Sequence, residues 1–182
     1  MTVTPDLDTR FRAAALAEGL VDVRYDVVRS PVGDLHVAAT SRGLARISYR
    51  DDGWEDELAR QFGARVLRSP LDEVRKELGE YFEGRRREFD LALDLRVAPF
   101  HEAVLRELAR VPYGRTETYG RLAAKVGRPR AARAVGTVMH RNPIPIVLPC
   151  HRIVGANGSL TGYAGGLEVK RQLLQLEGAM LF

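Results

Sequence analysis

Two short helical patterns meet across Gly127-Arg128-Pro129, and this tight junction constrains the fold more than any other stretch of the chain. Thr118-Tyr119-Gly120-Arg121-Leu122-Ala123-Ala124-Lys125-Val126-Gly127 reads as a helix closed by glycine. Pro129 suits the first position of a second helix, because its fixed φ and missing N–H cost nothing there. Ala131, Ala132, Ala134, Val135, Val138 and Met139 then carry an apolar face to His140, and Asn142-Pro143 breaks the pattern. Helices joined this closely must cross at an angle, so the segment is a helix-turn-helix candidate.

Charge points the same way. Residues 1–99 hold 16 basic and 19 acidic side chains and residues 100–182 hold 12 and 5, so the formal excess of +4 belongs to the C-terminal part. From Arg115 to Arg152 the basic residues are Arg115, Arg121, Lys125, Arg128, Arg130, Arg133, Arg141 and Arg152, against Glu117 alone. Such a run attracts phosphate, although a solvated basic helix has the same composition.

The chain has one cysteine, Cys150, within Pro149-Cys150-His151-Arg152-Ile153-Val154. It cannot form an internal disulfide. Read alone, a single cysteine is more often a small buried apolar residue than a nucleophile. The adjacent His151 tilts the balance, since imidazole can take a thiol proton near neutral pH and leave a thiolate.

Together, Arg133-Ala134-Val135-Gly136, the run from Asn142-Pro143-Ile144-Pro145 through Pro149-Cys150-His151-Arg152, Gly162-Tyr163-Ala164-Gly165-Gly166-Leu167 and Leu176-Glu177-Gly178 resemble the O6-alkylguanine-DNA alkyltransferase family over about residues 98–180. Ser30-Pro31-Val32-Gly33-Asp34-Leu35 with Gly43-Leu44 resembles, less specifically, the family's accessory domain. The resemblance implies an α+β protein. A ribonuclease H-like accessory domain (1–95), with a small antiparallel sheet and helices, would precede a mostly helical domain (96–182) holding the helix-turn-helix and the active-site cysteine loop.

It also implies a reaction. An alkyl group on guanine O6 is a saturated carbon, best displaced by a soft anionic nucleophile, and Cys150 is the implied acceptor. The thioether has no easy return to thiol, so each molecule would act once. By similarity His151 is the base, acting through water, and Glu177 supports it, a triad-like relay. Tyr119 would donate a proton to guanine N3. Asn142 is the implied hinge, binding backbone on both sides. Pro145 and Tyr163 would wall the pocket, the carbonyls of Cys150 and Ile153 would bind the exocyclic amine, the Ala164 N–H would bind O6, and Lys170 matches a family lysine. A stacked base must first leave the duplex. Arg133 is implied to fill its place while the second helix lies in the minor groove, with Ala131, Ala132 and Gly136 keeping that helix close and Arg121 and Arg130 on the DNA.

Ala164 stands where some members have serine, and Leu105 where many have tryptophan. In residues 1–99 His36 is the only cysteine or histidine, so no zinc is expected there, and no cofactor is expected for the reaction. Three strands are expected at 21–28, 35–40 and 43–49, then helices at 53–62 and from Ser69-Pro70, with a capping-box-like start, to about Gly84. An extended stretch over 89–95 and a linker, Arg96-Val97-Ala98-Pro99, should lead to a helix at 99–110, and a last helix should span 167–176. Val74, Leu78, Tyr81 and Phe82 read as core. No apolar stretch is long enough to span a membrane, and the N-terminus lacks a signal-peptide core, so a cytoplasmic monomer acting on double-stranded DNA is expected, its cooperativity on DNA left open. The competing readings are a lesion sensor without chemistry, which Cys150 argues against, a thiol hydrolase, and a sequence-specific helix-turn-helix regulator.

Overall fold

Residues 23–48 fold into a three-stranded antiparallel meander because both connections are tight. In the computed structural model, which describes residues 5–179, β1 (Val23–Ser30) pairs with β2 (Gly33–Thr40) out to Ser30 opposite Gly33, and β2 pairs with β3 (Gly43–Ser48) out to Thr40 opposite Gly43. Gly43 has φ 132°, and a Cβ there would lie 2.2 Å from the Ala92 carbonyl oxygen, so the position excludes any side chain. The close approach lets residues 90–94 run beside β3, with Leu44 N–H on Ala92 O at 2.8 Å and Asp94 N–H on Leu44 O at 2.9 Å.

Leu35, Val37 and Ala39 of β2 face the main core, whereas Ala38 turns to a smaller cluster with Val23, Trp54 and Leu58. The sheet is thus covered on both faces, the second by α2 (Trp54–Phe62). A fourth strand, β4 (Val66–Arg68), joins the edge of β1 in parallel, giving the order β3-β2-β1-β4. The antiparallel sheet read from sequence is therefore a mixed one. Another helix, α1 (Pro5–Ala17), precedes the sheet and was not anticipated.

The next helix, α3 (Asp72–Phe82), begins after Leu71 with no side-chain cap of its own, so the capping-box start at Ser69 is not realised. The buried Asp26 carboxylate of β1 accepts the Leu71 N–H at 3.0 Å and is paired with Arg75. A carboxylate there satisfies an orphan donor and the helix dipole at once.

After the connector, α4 (Pro99–Ala109) starts with proline in its first turn. The expected helix pair follows as α5 (Tyr119–Lys125), capped by Thr118 Oγ1 accepting the Arg121 N–H, and α6 (Ala132–His140). Pro129 and Arg130 form the turn rather than the first residues of α6, because the Ala131 N–H closes back on Arg128 O at 2.8 Å and helical bonding begins only with Val135 N–H on Ala131 O. A two-residue strand before α5, β5 (Glu117–Thr118), pairs in parallel with β6 (Ile153–Val154), and α7 (Gly166–Leu176) closes the chain.

One apolar cluster runs from Leu35 and Ile47 through Leu78, Leu105 and Leu108 to Leu122, Val135, Ile144, Ile153 and Leu173. Each such aliphatic side chain contributes roughly 1.5–3 kcal/mol on burial, so the two halves are joined by shared core. The edge of β3 also meets the segment carrying Cys150, with Ile47 N–H on Pro143 O at 2.8 Å. No described helix is long and apolar enough to cross a membrane.

Candidate active site

The segment between α6 and β6 is held in a conformation that it would not adopt alone. Ile146 is fully buried with φ 75°, an unfavourable value for a β-branched residue. Asn142 brackets the turn, its Nδ2 donating to Leu148 O at 2.7 Å and its Oδ1 accepting the Ile144 N–H at 3.1 Å. This fixes the approach to a single 3-10 turn, Cys150–Arg152.

Cys150 is 3% exposed. Burial pushes its thiol up to about 11, partly opposed by hydrogen bonding from the Asn142 side chain and by the charge of Lys170. The resting sulfur is a protonated thiol whose neighbours all favour the anion.

His151 and Glu177 are equally buried and bonded, Nε2 to Oε1, at 2.8 Å. Burial alone would raise the Glu177 carboxyl, but hydrogen bonds from His151 and Arg152 hold it down at about 2. Glu177 is therefore a carboxylate and can only accept, which places the imidazole proton on Nε2 and leaves Nδ1 with a lone pair. Nδ1 is buried and has no hydrogen-bond partner among the described residues. Burial lowers the affinity of His151 for a second proton, and the charges of Arg152 and Lys170 add to that against the opposing pull of Glu177. A neutral imidazole with a free lone pair thus follows the thiol directly in the chain.

The carboxylate is saturated with donors. Oε1 accepts from His151, from Arg152 Nη2 at 2.9 Å and from the Tyr81 hydroxyl at 2.8 Å, and Oε2 accepts from Arg152 Nε at 2.9 Å and the Gly114 N–H at 3.2 Å. Gly114, at φ 72°, admits this bond only as glycine, since a Cβ would sit 2.8 Å from the Glu177 carbonyl oxygen. Glu177 caps the C-terminus of α7, where an acid is unfavourable to the helix; its partners outweigh that.

Lys170 is fully buried, not solvated as a lysine on a helix surface would be. Its Nζ donates to Ile153 O at 2.5 Å and Thr161 O at 3.1 Å, and burial brings it down to about 8. It ties β6 to the loop before α7. That loop is also held by the Tyr119 hydroxyl on Thr161 Oγ1 at 2.7 Å. Tyr163 stands with its ring edge-on to His151, centroids 6.4 Å apart, and its hydroxyl bonds that of Tyr49, just past the end of β3, at 2.7 Å. A cleft of about 520 Å³ is lined by Tyr49, Arg50, Arg141, Asn142, Pro145 and Ala164, with Cys150 outside its lining. Asn142 lines this cleft and also touches the sulfur.

Cys150, His151, Glu177, Asn142, Ile153, Tyr163 and Lys170 thus form one cluster, with Tyr119 attached through Thr161. Arg130 and Arg133 lie outside it, exposed and with side chains that find no acceptor among the described residues. Ala131, which precedes α6, and Ala132 and Gly136 on it are half-buried, and a Cβ on Gly136 would lie 3.9 Å from the Tyr119 ring. Arg121 is exposed but pairs with Glu117 at 3.2 Å, as does Lys125 at 3.0 Å. Arg152, counted with the phosphate-attracting run, is withdrawn from it by burial against Glu177 and Val111 O. Sequence reasoning missed Arg152 as a site residue and missed Tyr81 and Tyr49. Its only clue was the position of Arg152 next to Cys150-His151. Among the described residues no cluster of three or more His, Cys, Asp or Glu side chains could hold a metal ion.

This arrangement, a buried thiol and imidazole–carboxylate pair beside a helix-turn-helix, defines a DNA-binding protein with nucleophilic chemistry, and comparison with known proteins gives it a family. Residues 99–179 match the model of the 6-O-methylguanine DNA methyltransferase DNA-binding domain, and residues 23–95 that of the same family's ribonuclease-like domain. The chain is 43% identical over 161 residues to a methylated-DNA–protein-cysteine methyltransferase of Mycolicibacterium paratuberculosis, covering 85% of this chain and 92% of that one. It is 39% identical over 155 residues to the constitutive enzyme of that name from Bacillus subtilis, covering 84% and 94%. The crystal structure of Mycobacterium tuberculosis O6-methylguanine methyltransferase superposes with a TM-score of 0.77 at 39% identity, over 86% of this chain and 93% of that one, and that protein has also been crystallised with DNA. The chain belongs to the O6-methylguanine DNA methyltransferase family.

Proposed function

We propose that this chain is a methylated-DNA–protein-cysteine methyltransferase that binds duplex DNA as a monomer, extrudes O6-alkylguanine and moves the alkyl group onto Cys150 once per molecule. The observation that carries the reading is the Nε2–Oε1 contact between His151 and Glu177: a carboxylate can only accept, so the proton belongs on Nε2 and the free lone pair on Nδ1 of the residue that follows the thiol.

The steps balance. The Cys150 thiol gives its proton to His151 Nδ1 through a bridging water, and the imidazolium formed is stabilised by the Glu177 carboxylate. The thiolate, favoured by Asn142 and by the Lys170 charge, attacks the alkyl carbon in line. An S–C bond forms as the C–O6 bond breaks, and the guanine anion takes a proton at N3 from Tyr119, whose hydroxyl is poised on Thr161. The proton on His151 returns to the Tyr119 oxygen through solvent, and no cofactor enters. The thioether is the end point because no group in the site can displace it.

Pro145, Tyr163 and Ala164 are assigned to the base, with the Ala164 N–H on O6 and the carbonyls of Cys150 and Ile153 on the exocyclic amine. Ile153 O already holds Lys170, leaving one lone pair for substrate. The exposed Arg133 takes the vacated place in the stack, while Ala131, Ala132 and Gly136 let α6 approach the minor groove and Arg130 meets phosphate. Arg121 reaches phosphate only in competition with Glu117. The work is assigned to the cytoplasm, where DNA is met.

The test is stoichiometry. With excess duplex carrying radiolabelled O6-methylguanine, label transfer should plateau at one methyl per protein. Continued turnover, or release of free methanol, contradicts the proposal.

A further inference from the structure

We propose that Tyr81 is a positioning residue for alkyl transfer, through which the N-terminal domain sets the geometry and basicity of the His151–Glu177 pair. The inference deepens the reading of Cys150 and His151 given above and rests on it. Tyr81 lies on α3, 96 residues from Glu177, and is fully buried. Its hydroxyl is the only hydrogen bond that residues 5–98 make to the Glu177 side chain among the described residues. The ring is fixed by Phe82, Phe89 and Tyr113, with centroids 5.2, 5.5 and 6.1 Å away, so the hydroxyl has little freedom to leave.

A tyrosine that served only as core would be equivalent to phenylalanine. Here the phenol donates to Oε1, the same oxygen that receives the His151 N–H, while Arg152 Nη2 donates there as well. Burial, and then the Glu177 charge, keep the phenol protonated, so it is a permanent donor. Each donor to Oε1 draws off negative charge that would otherwise stabilise the imidazolium. Tyr81 therefore holds Oε1 in line with Nε2 and keeps His151 less basic than a bare carboxylate would make it. The other charged or titratable groups facing His151 are Arg152 and Lys170, both lowering its proton affinity, with Cys150 beside it and Tyr163 edge-on. Tyr113, with Arg87 and Arg152 over its ring, stands behind Tyr81.

The experiment compares the full chain with Tyr81→Phe, measuring the second-order rate of methyl transfer from an O6-methylguanine duplex against pH, the 15N shifts of the His151 ring, and thermal stability. Loss of the donor should raise the acid-limb midpoint of the rate profile and the His151 titration together, by about half a pH unit or more. Superimposable profiles with only a lower melting temperature would overturn the proposal and leave Tyr81 a core residue. Should the variant not fold, the parent protein carrying 13C-tyrosine decides. The Tyr81 Cζ resonance should move with the His151 midpoint, and a flat response would overturn the coupling. That second measurement involves no alkyl transfer. A parent protein that takes up no methyl group would therefore refute the function while leaving the coupling independently measurable.

Discussion

Glu177, Arg152 and Lys170, the ionised groups of the Cys150 cluster, are buried and partnered: Glu177 receives five hydrogen bonds, Arg152 spends its guanidinium on that carboxylate and on Val111 O, and Lys170 is held by two carbonyls. On the turn and first residues of α6, Arg130 and Arg133 are exposed, with no acceptor for either side chain among the described residues. Arg152 and Lys170 look as basic in sequence as Arg130 and Arg133, yet their charge is spent inside the fold. Charge compensated inside the fold positions reacting atoms, whereas uncompensated charge on the surface recruits the substrate. Variants in the two regions should accordingly fail in different ways.

The largest effect should come from the sulfur. Cys150→Ala is expected to abolish alkyl transfer while leaving the dissociation constant for a lesion duplex, measured by fluorescence anisotropy, within about threefold of the parent. Loss of binding as well would make the sulfur a structural element.

Glu177→Gln should come next, because it strips the counter-charge from buried Arg152 as well as the support from His151. Stability in urea is expected to fall by about 3–5 kcal/mol, and transfer by about 100-fold or more. The pH dependence carries its own sign. Glu177 is depressed from 4.5 to about 2 in the fold, so its contribution is complete above pH 4.5 and is lost as pH falls toward 2. Acid unfolding of the variant should lack that component.

Arg133→Ala inverts the pattern. Stability should stay within about 0.5 kcal/mol of the parent, since no partner is lost. Transfer from duplex should drop about tenfold more than reaction with free O6-benzylguanine, which needs no extrusion. Equal losses on the two substrates would remove Arg133 from the extrusion step. The smallest effect is assigned to Arg130→Ala, a few-fold weaker binding and a salt dependence shallower by about one unit of slope. An unchanged slope would show that Arg130 does not meet phosphate.

The same contrast explains what could be read from the chain. The three strands of the meander, the helix pair and the final helix were visible because their apolar residues recur with the periods of strand and helix and their ends carry Gly33, Gly43 and Gly127. Four elements were not: β4 is only three residues long and is defined by pairing with β1, β5 and β6 are two residues each and are defined by pairing with one another, and α1 leaves Phe11 and Leu7 exposed and lacks a clear apolar stripe. The start of α6 was placed early because a proline at a first helical position and a proline in a preceding turn look alike. Ser69 was read as a cap, while the group that meets the start of α3 is Asp26, 45 residues away from Leu71. Cys150, His151 and Glu177 stood out through motif spacing. Tyr81 did not, because a buried phenol on an amphipathic helix has the pattern of core, and only the fold brings its hydroxyl to a carboxylate near the other end of the chain.

Intact-mass analysis of the protein after exposure to duplex DNA containing O6-methylguanine, followed by peptide mapping, tests the central claim most directly. The account predicts a gain of one methylene per chain, located on Cys150, with no further gain on adding more substrate. An unchanged mass, or a methyl group carried by any other residue, would contradict it.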